Sequence, residues 1–116
     1  MLKKALACGA IVCFMAGYAA LSSAKGAGLA KGKQLFQSKC ILCHGPQGNG
    51  EGPAAAAFNP KPANFTSKSF WKAPNIEATM AHVIANGRVQ MPAFHDLSPS
   101  DIQDLIQYIK HAFEPK

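Results

Sequence analysis

The chain has 116 residues, 48% hydrophobic and 9% aromatic, with 12 Lys and Arg against 6 Asp and Glu and a formal net charge of +6. That length holds one domain at most. No block of basic residues carries interleaved aromatics, which argues against nucleic acid as a partner, whereas a modest positive balance suits transient docking on an acidic protein surface.

The first segment in chain order differs from the rest. Lys3 and Lys4 form a positive start, Leu6 to Leu21 is an apolar run without charge, and Ser22-Ser23-Ala24 supplies the small residues a signal peptidase accepts. Residues 1–24 therefore read as a secretory signal peptide, 25–116 as the domain, and the periplasm as its destination. The apolar run is also long enough for the alternative of a retained membrane anchor, which needs about 20 apolar residues. A lipoprotein cut before Cys8 fits poorly, because little apolar sequence precedes it. Cleavage takes Cys8, Cys13 and the two N-terminal lysines away, leaving Cys40 and Cys43 and 10 basic against 6 acidic residues. Two cysteines so close together enclose too small a loop to be a useful disulfide staple. A domain of this size buries only a modest apolar area, so a bound cofactor is expected on size alone.

Three segments carry helical periodicity. The first runs from about Leu29 to Cys43, with Gly32, Phe36 and Cys40 on one face, Leu35 widening it, and Lys31, Lys33, Gln34 and Lys39 filling the rest. Gly45 to Pro74 is a long connection punctuated by glycines and prolines, and a compact domain keeps so much irregular backbone when that backbone wraps something. Phe58, Phe65, Phe70 and Trp71 make this stretch too apolar for a solvated linker. Asn75 is placed as the N-cap of a short helix from Ile76 to about Ala85, closed by Asn86-Gly87, with Ile76, Met80, Val83 and Ile84 on one face. The last helix is capped by Ser98, has Pro99 at its first position and Asp101 three residues after the cap, and bears the stripe Ile102, Leu105, Ile106, Ile109, Phe113. That stripe predicts packing on the first helix. None of the segments has the alternation of a strand.

Cys40-Ile41-Leu42-Cys43-His44 is the signature of covalent c-type haem attachment. Residues three apart share a face of a helical turn, so both sulfurs can reach the vinyl groups at one haem edge, and His44 then carries the proximal imidazole to the iron. A zinc site wants a second Cys or His pair, and a thioredoxin-type dithiol wants a βαβ unit beside it. Neither accompanies this motif. For the sixth ligand the candidates are Met80, Met91, His82, His95 and His111. Met80 lies on an apolar helix face, where methionine is more often core, and His82 and His111 fall on polar faces. Met91 is favoured because Asn86-Gly87-Arg88-Val89-Gln90-Met91-Pro92 presents it from a proline-stiffened turn outside regular structure; His95, four residues on, is its rival.

These motifs, in the order Gly32-x-x-x-Phe36, Cys40-x-x-Cys43-His44, Gly45 to Gly52-Pro53, Asn86-Gly87-x-x-x-Met91-Pro92-x-Phe94 and Leu105-Ile106-Gln107-Tyr108-Ile109, resemble a class I monohaem cytochrome c of the small bacterial type. The likeness covers nearly all of 25–116. It implies an all-α cytochrome c fold: crossing N- and C-terminal helices, with Gly32 and Phe36 meeting Leu105 and Tyr108, one or two short helices, and long loops around one haem c. It also implies a proline carbonyl, assigned to Pro53, that holds the proximal imidazole by its Nδ1 proton. The segment from Asn59 to Phe65 departs from the mitochondrial members, and Trp71 and Lys61 are the guesses for partners of the haem propionates.

A His44–Met91 pair fills both axial positions, which leaves the iron free only to change oxidation state. The expectation is a monomeric, low-spin, high-potential one-electron carrier, not an enzyme, that meets redox protein partners briefly and has no membrane span once the signal peptide is cleaved. Two alternatives stand beside it: a five-coordinate gas sensor or peroxidase if Met91 does not bind, and a dedicated electron-entry module of a larger oxidoreductase.

Overall fold

The computed structural model describes residues 6–116, with side chains from Leu21 onward. Helix α1 spans Leu6–Lys39. It starts well before the predicted Leu29 and runs unbroken through the expected cleavage point after Ala24; the first five residues of the predicted signal peptide lie outside the described residues. No proline interrupts this alanine-rich stretch, and its glycines, at about 1 kcal/mol each against alanine, weaken the helix without ending it. The helix also ends earlier than predicted. Cys40 sits at φ −115°, ψ −30°, off the helical values, and a separate short helix α2, Ile41–His44, follows. Among the described residues no helix is long and apolar enough to cross a membrane.

Helix α5, Pro99–Phe113, crosses α1 and supplies more of the buried core than any other element. Its start is locked by a reciprocal pair: Asp101 N donates to Ser98 Oγ at 3.1 Å and Ser98 N donates to Asp101 Oδ2 at 3.0 Å. Two amides at the start of the helix are thereby satisfied. Ile102, Leu105, Ile106 and Ile109 are buried as the stripe predicts. Opposite them lie Phe36, whose ring is 5.7 Å from Tyr108 and 5.1 Å from Phe113, and Gly32. A Cβ on Gly32 would run into the Asp104 carbonyl and Tyr108 Cβ, so the crossing is as close as it is because position 32 has no side chain.

Helix α4, Ile76–Asn86, turns Met80 and Ile84 into the same core. It stops at Gly87, φ 76°, as expected. Its beginning differs from the sequence expectation: Asn75 is left-handed at φ 54°, ψ 35°, and its side chain makes no cap bond, since a capping side chain works from extended backbone. Thr79 N donates to the Asn75 carbonyl instead, at 3.0 Å. Glu77 ties α4 to α5 through Lys110 and through Gln107 Nε2 at 3.1 Å. A one-turn helix α3, Lys68–Trp71, was not evident in the periodicity. No strand occurs among the described residues, only an isolated bridge between Arg88 and Met91.

Candidate haem cleft

A cleft of about 550 Å³ opens between the Cys40–His44 turn, the loop after it, α4 and the turn carrying Met91. Cys40, Cys43 and His44 line it, as do Met80, Met91 and Phe65. Both cysteines are free and half-buried. Burial pushes the Cys40 thiol up to about 12, the neighbouring Cys43 adds to the rise, and Lys39 opposes it. A thiol held protonated is a poor exchange nucleophile, which weighs against a redox dithiol.

His44 is buried. Its Nδ1 faces the Ala63 carbonyl at 3.1 Å, so the ring donates there and keeps its lone pair on Nε2. Burial lowers the imidazole's pKa, against the opposing effect of the Ala63 bond, and so favours the neutral ring that a metal needs. Phe65 stacks on the imidazole at 4.7 Å between centroids and 19° between planes, fixing its rotation.

The carbonyl that holds His44 therefore belongs to Ala63, a correction of the expectation for Pro53, which is exposed and outside the cleft. The cause is the path of the loop. Gly50 N donates to His44 O and Phe65 N to Gly48 O, each at 2.8 Å, which folds residues 60–65 back over the imidazole. Gly50, at φ 80°, lets the two loop segments touch: a Cβ there would meet the Pro62 carbonyl at 2.6 Å. Trp71 is corrected as well. It does not line the cleft; its indole N–H donates to the Phe65 carbonyl at 2.7 Å and so ties it to the backbone of the residue that stacks on His44. Phe65 and Ala63 were missed as site residues; the aromatic in an otherwise irregular stretch was the only available signal.

Met91 sits at the end of a tight turn closed by Arg88 N to Met91 O at 3.0 Å and Met91 N to Arg88 O at 2.8 Å. Phe94 N donates to Ile84 O at 2.9 Å and fixes the following loop to α4. Met80 lines the same cleft from α4, whereas His82 and His95 are exposed outside it and His111 borders a separate cavity of about 320 Å³ between α1 and α5. Lys39, Lys61 and Arg88 reach the lining, which contains no carboxylate. Paired free sulfurs, a neutral imidazole with its lone pair on Nε2, apolar walls and the cations Lys61 and Arg88 fit haem c, with its two vinyl groups, iron and two carboxylates; Lys39 already pairs with Asp96 at 2.5 Å.

The family model Cytochrome c matches residues 29–113. The chain belongs to the cytochrome c family. Among its relatives are the cytochrome c6 of Cyanidium caldarium, 32% identical over 83 residues, covering 72% of this chain and 70% of the relative, and that of Cyanidioschyzon merolae (strain NIES-3377 / 10D), 31% identical over 83 residues, covering 72% and 73%. A third is the Cbb3-type cytochrome c oxidase subunit FixP of Bradyrhizobium sp. (strain ORS 278), 32% identical over 91 residues. That match takes in 77% of this chain and 29% of FixP, so the cytochrome spans under a third of that relative's length. The protein is thus an all-α class I monohaem cytochrome c: Cys40 and Cys43 attach its haem covalently, and its work is electron transfer.

Proposed function

We propose that this cytochrome is a periplasmic one-electron carrier whose iron is held between His44 and Met91, exported by the signal peptide of residues 1–24. The observation that carries the reading is that His44 and Met91, from separate elements, line one cleft, while His82 and His95 stay outside it. When bound, haem c supplies the one-electron iron couple. The Ala63 carbonyl orients the imidazole and raises the basicity of Nε2. The Met91 thioether favours the ferrous state, and the apolar lining disfavours the additional charge of the ferric one. Lys61 and Arg88 are the partners for the haem carboxylates, in place of Trp71. The lysines, with Leu42 60% and Val89 80% exposed beside the cleft, suit a small, short-lived contact with an acidic redox protein.

The likeness to FixP supports a second reading, an electron-entry module of a larger oxidoreductase, which would persist as a complex through size-exclusion chromatography. The test of ligation is the ferric spectrum of the haem-loaded protein and of Met91→Ala, with Met80→Leu as control. The reading predicts a weak far-red band that disappears in Met91→Ala alone, together with new carbon monoxide binding in the ferrous variant. Loss of the band in Met80→Leu instead would move the ligand to Met80.

A further inference from the structure

Resting on the His44–Met91 reading, we infer that Gln90 is a positioning residue that fastens the support of one iron ligand to the support of the other. Its Oε1 accepts a hydrogen bond from the backbone N–H of Asn59 at 2.9 Å, across 31 residues of sequence. Each end of that bond leads to a ligand. Asn59 stands four residues before Ala63, whose carbonyl holds His44 Nδ1. Pro60 and Pro62, with φ fixed by their rings, stiffen the intervening chain, so a shift at Asn59 reaches Ala63 instead of being absorbed on the way. Gln90 directly precedes Met91 within the turn closed by the two Arg88–Met91 hydrogen bonds, so the two residues move together.

The turn needs an anchor. Val89, between Arg88 and Gln90, is a β-branched residue at φ 52°, in the left-handed region that such side chains avoid. It is 80% exposed, so packing does not hold it there. A strained conformation persists only where its surroundings over-determine it, and the Gln90–Asn59 bond supplies a directional contact of this kind from outside the turn, beside the packing of Met91 against the core. Without it the turn can relax, and Met91 becomes easier to displace.

The experiment compares haem-loaded wild type, Gln90→Ala and Gln90→Glu by titration of the ferric protein with imidazole and by exchange of the Asn59 amide in the ferrous protein, followed by NMR. A carboxylate accepts the amide bond as the carboxamide does. One net hydrogen bond corresponds to roughly a threefold to tenfold change in an equilibrium constant, so Gln90→Ala is expected to bind imidazole about that much more tightly. Its Asn59 amide should exchange freely, and Gln90→Glu should restore both properties. Unchanged imidazole affinity in Gln90→Ala, a Gln90→Glu variant as loose as Gln90→Ala, or an unprotected Asn59 amide in wild type would overturn the inference. Failure of the underlying ligation is separately visible: the wild type would lack its far-red band, while Asn59 exchange still reports on the bond itself.

Discussion

Phe65 illustrates how the site depends on single residues remote in sequence. Its ring is 6% exposed, stacks on His44 and meets Phe70 edge-on at 5.2 Å, and its carbonyl takes the Trp71 indole proton. Phe65→Ala removes a buried aromatic and is expected to destabilise the haem-loaded protein by about 3–5 kcal/mol, seen as a lower denaturant midpoint. Trp71→Phe keeps the bulk and loses the indole donor, so a cost nearer 1 kcal/mol is expected. The attachment motif was legible at this scale, since Cys40, Cys43 and His44 are adjacent in sequence and their chemistry is carried by that adjacency. The assignments to Pro53 and Trp71 failed because the carbonyl beside Nδ1, and the bond made by an indole, are set by how a glycine-rich loop folds back. Nothing local in the sequence encodes that choice.

The helices are held by features that act over one or two turns. Ser98→Ala removes a cap and should cost about 1 kcal/mol, measurable by thermal unfolding. Asp101 faces Ser98 and, at 3.6 Å, Lys31, and the hydrogen bonds from Ser98 hold its carboxyl below the usual carboxylate range, with Lys31 assisting. A lowered folded pKa gives stabilisation that is complete above the unfolded value and disappears as pH falls through the folded one. The midpoint difference between wild type and Asp101→Asn should therefore be largest near neutral pH and vanish in acid. At the crossing of α1 and α5 two effects compete in Gly32→Ala: helix propensity gains up to about 1 kcal/mol, while overpacking against the Asp104 backbone costs about 1–3 kcal/mol or more. Backbone cannot swing aside as a long side chain can, so net destabilisation is expected. The α5 cap and stripe were readable because capping and periodicity are local. Asn75 was misread because asparagine suits both an extended N-cap and the left-handed region, and residue type does not choose between the two; α3 is too short to show a period.

For the whole molecule, the core and the cleft are one structure. Phe65, Met80, Ile84, Leu105 and Ile109 belong to the buried cluster and also line the cleft. Small domains commonly depend on a cofactor for stability, so the Cys40→Ser/Cys43→Ser protein, made without covalent haem, is expected to lose most of its helical circular dichroism and its cooperative unfolding transition. An unchanged helical spectrum would mean the polypeptide folds without its prosthetic group. The helical segments and the packing of α5 on α1 were legible from the spacing of apolar residues, and the crossing of the terminal helices from the family resemblance, whereas the route of residues 45–74 was not, because its course is determined by what it encloses.

The claim joining these scales is that the cytochrome's iron changes oxidation state without opening a coordination site. A potentiometric titration of the haem-loaded protein, followed optically with and without carbon monoxide, tests it most directly. The account predicts one reversible one-electron transition between two low-spin states, at a potential that carbon monoxide does not move. A high-spin ferrous form, or a midpoint raised by carbon monoxide, would contradict it and make this haem a binding site instead of a relay.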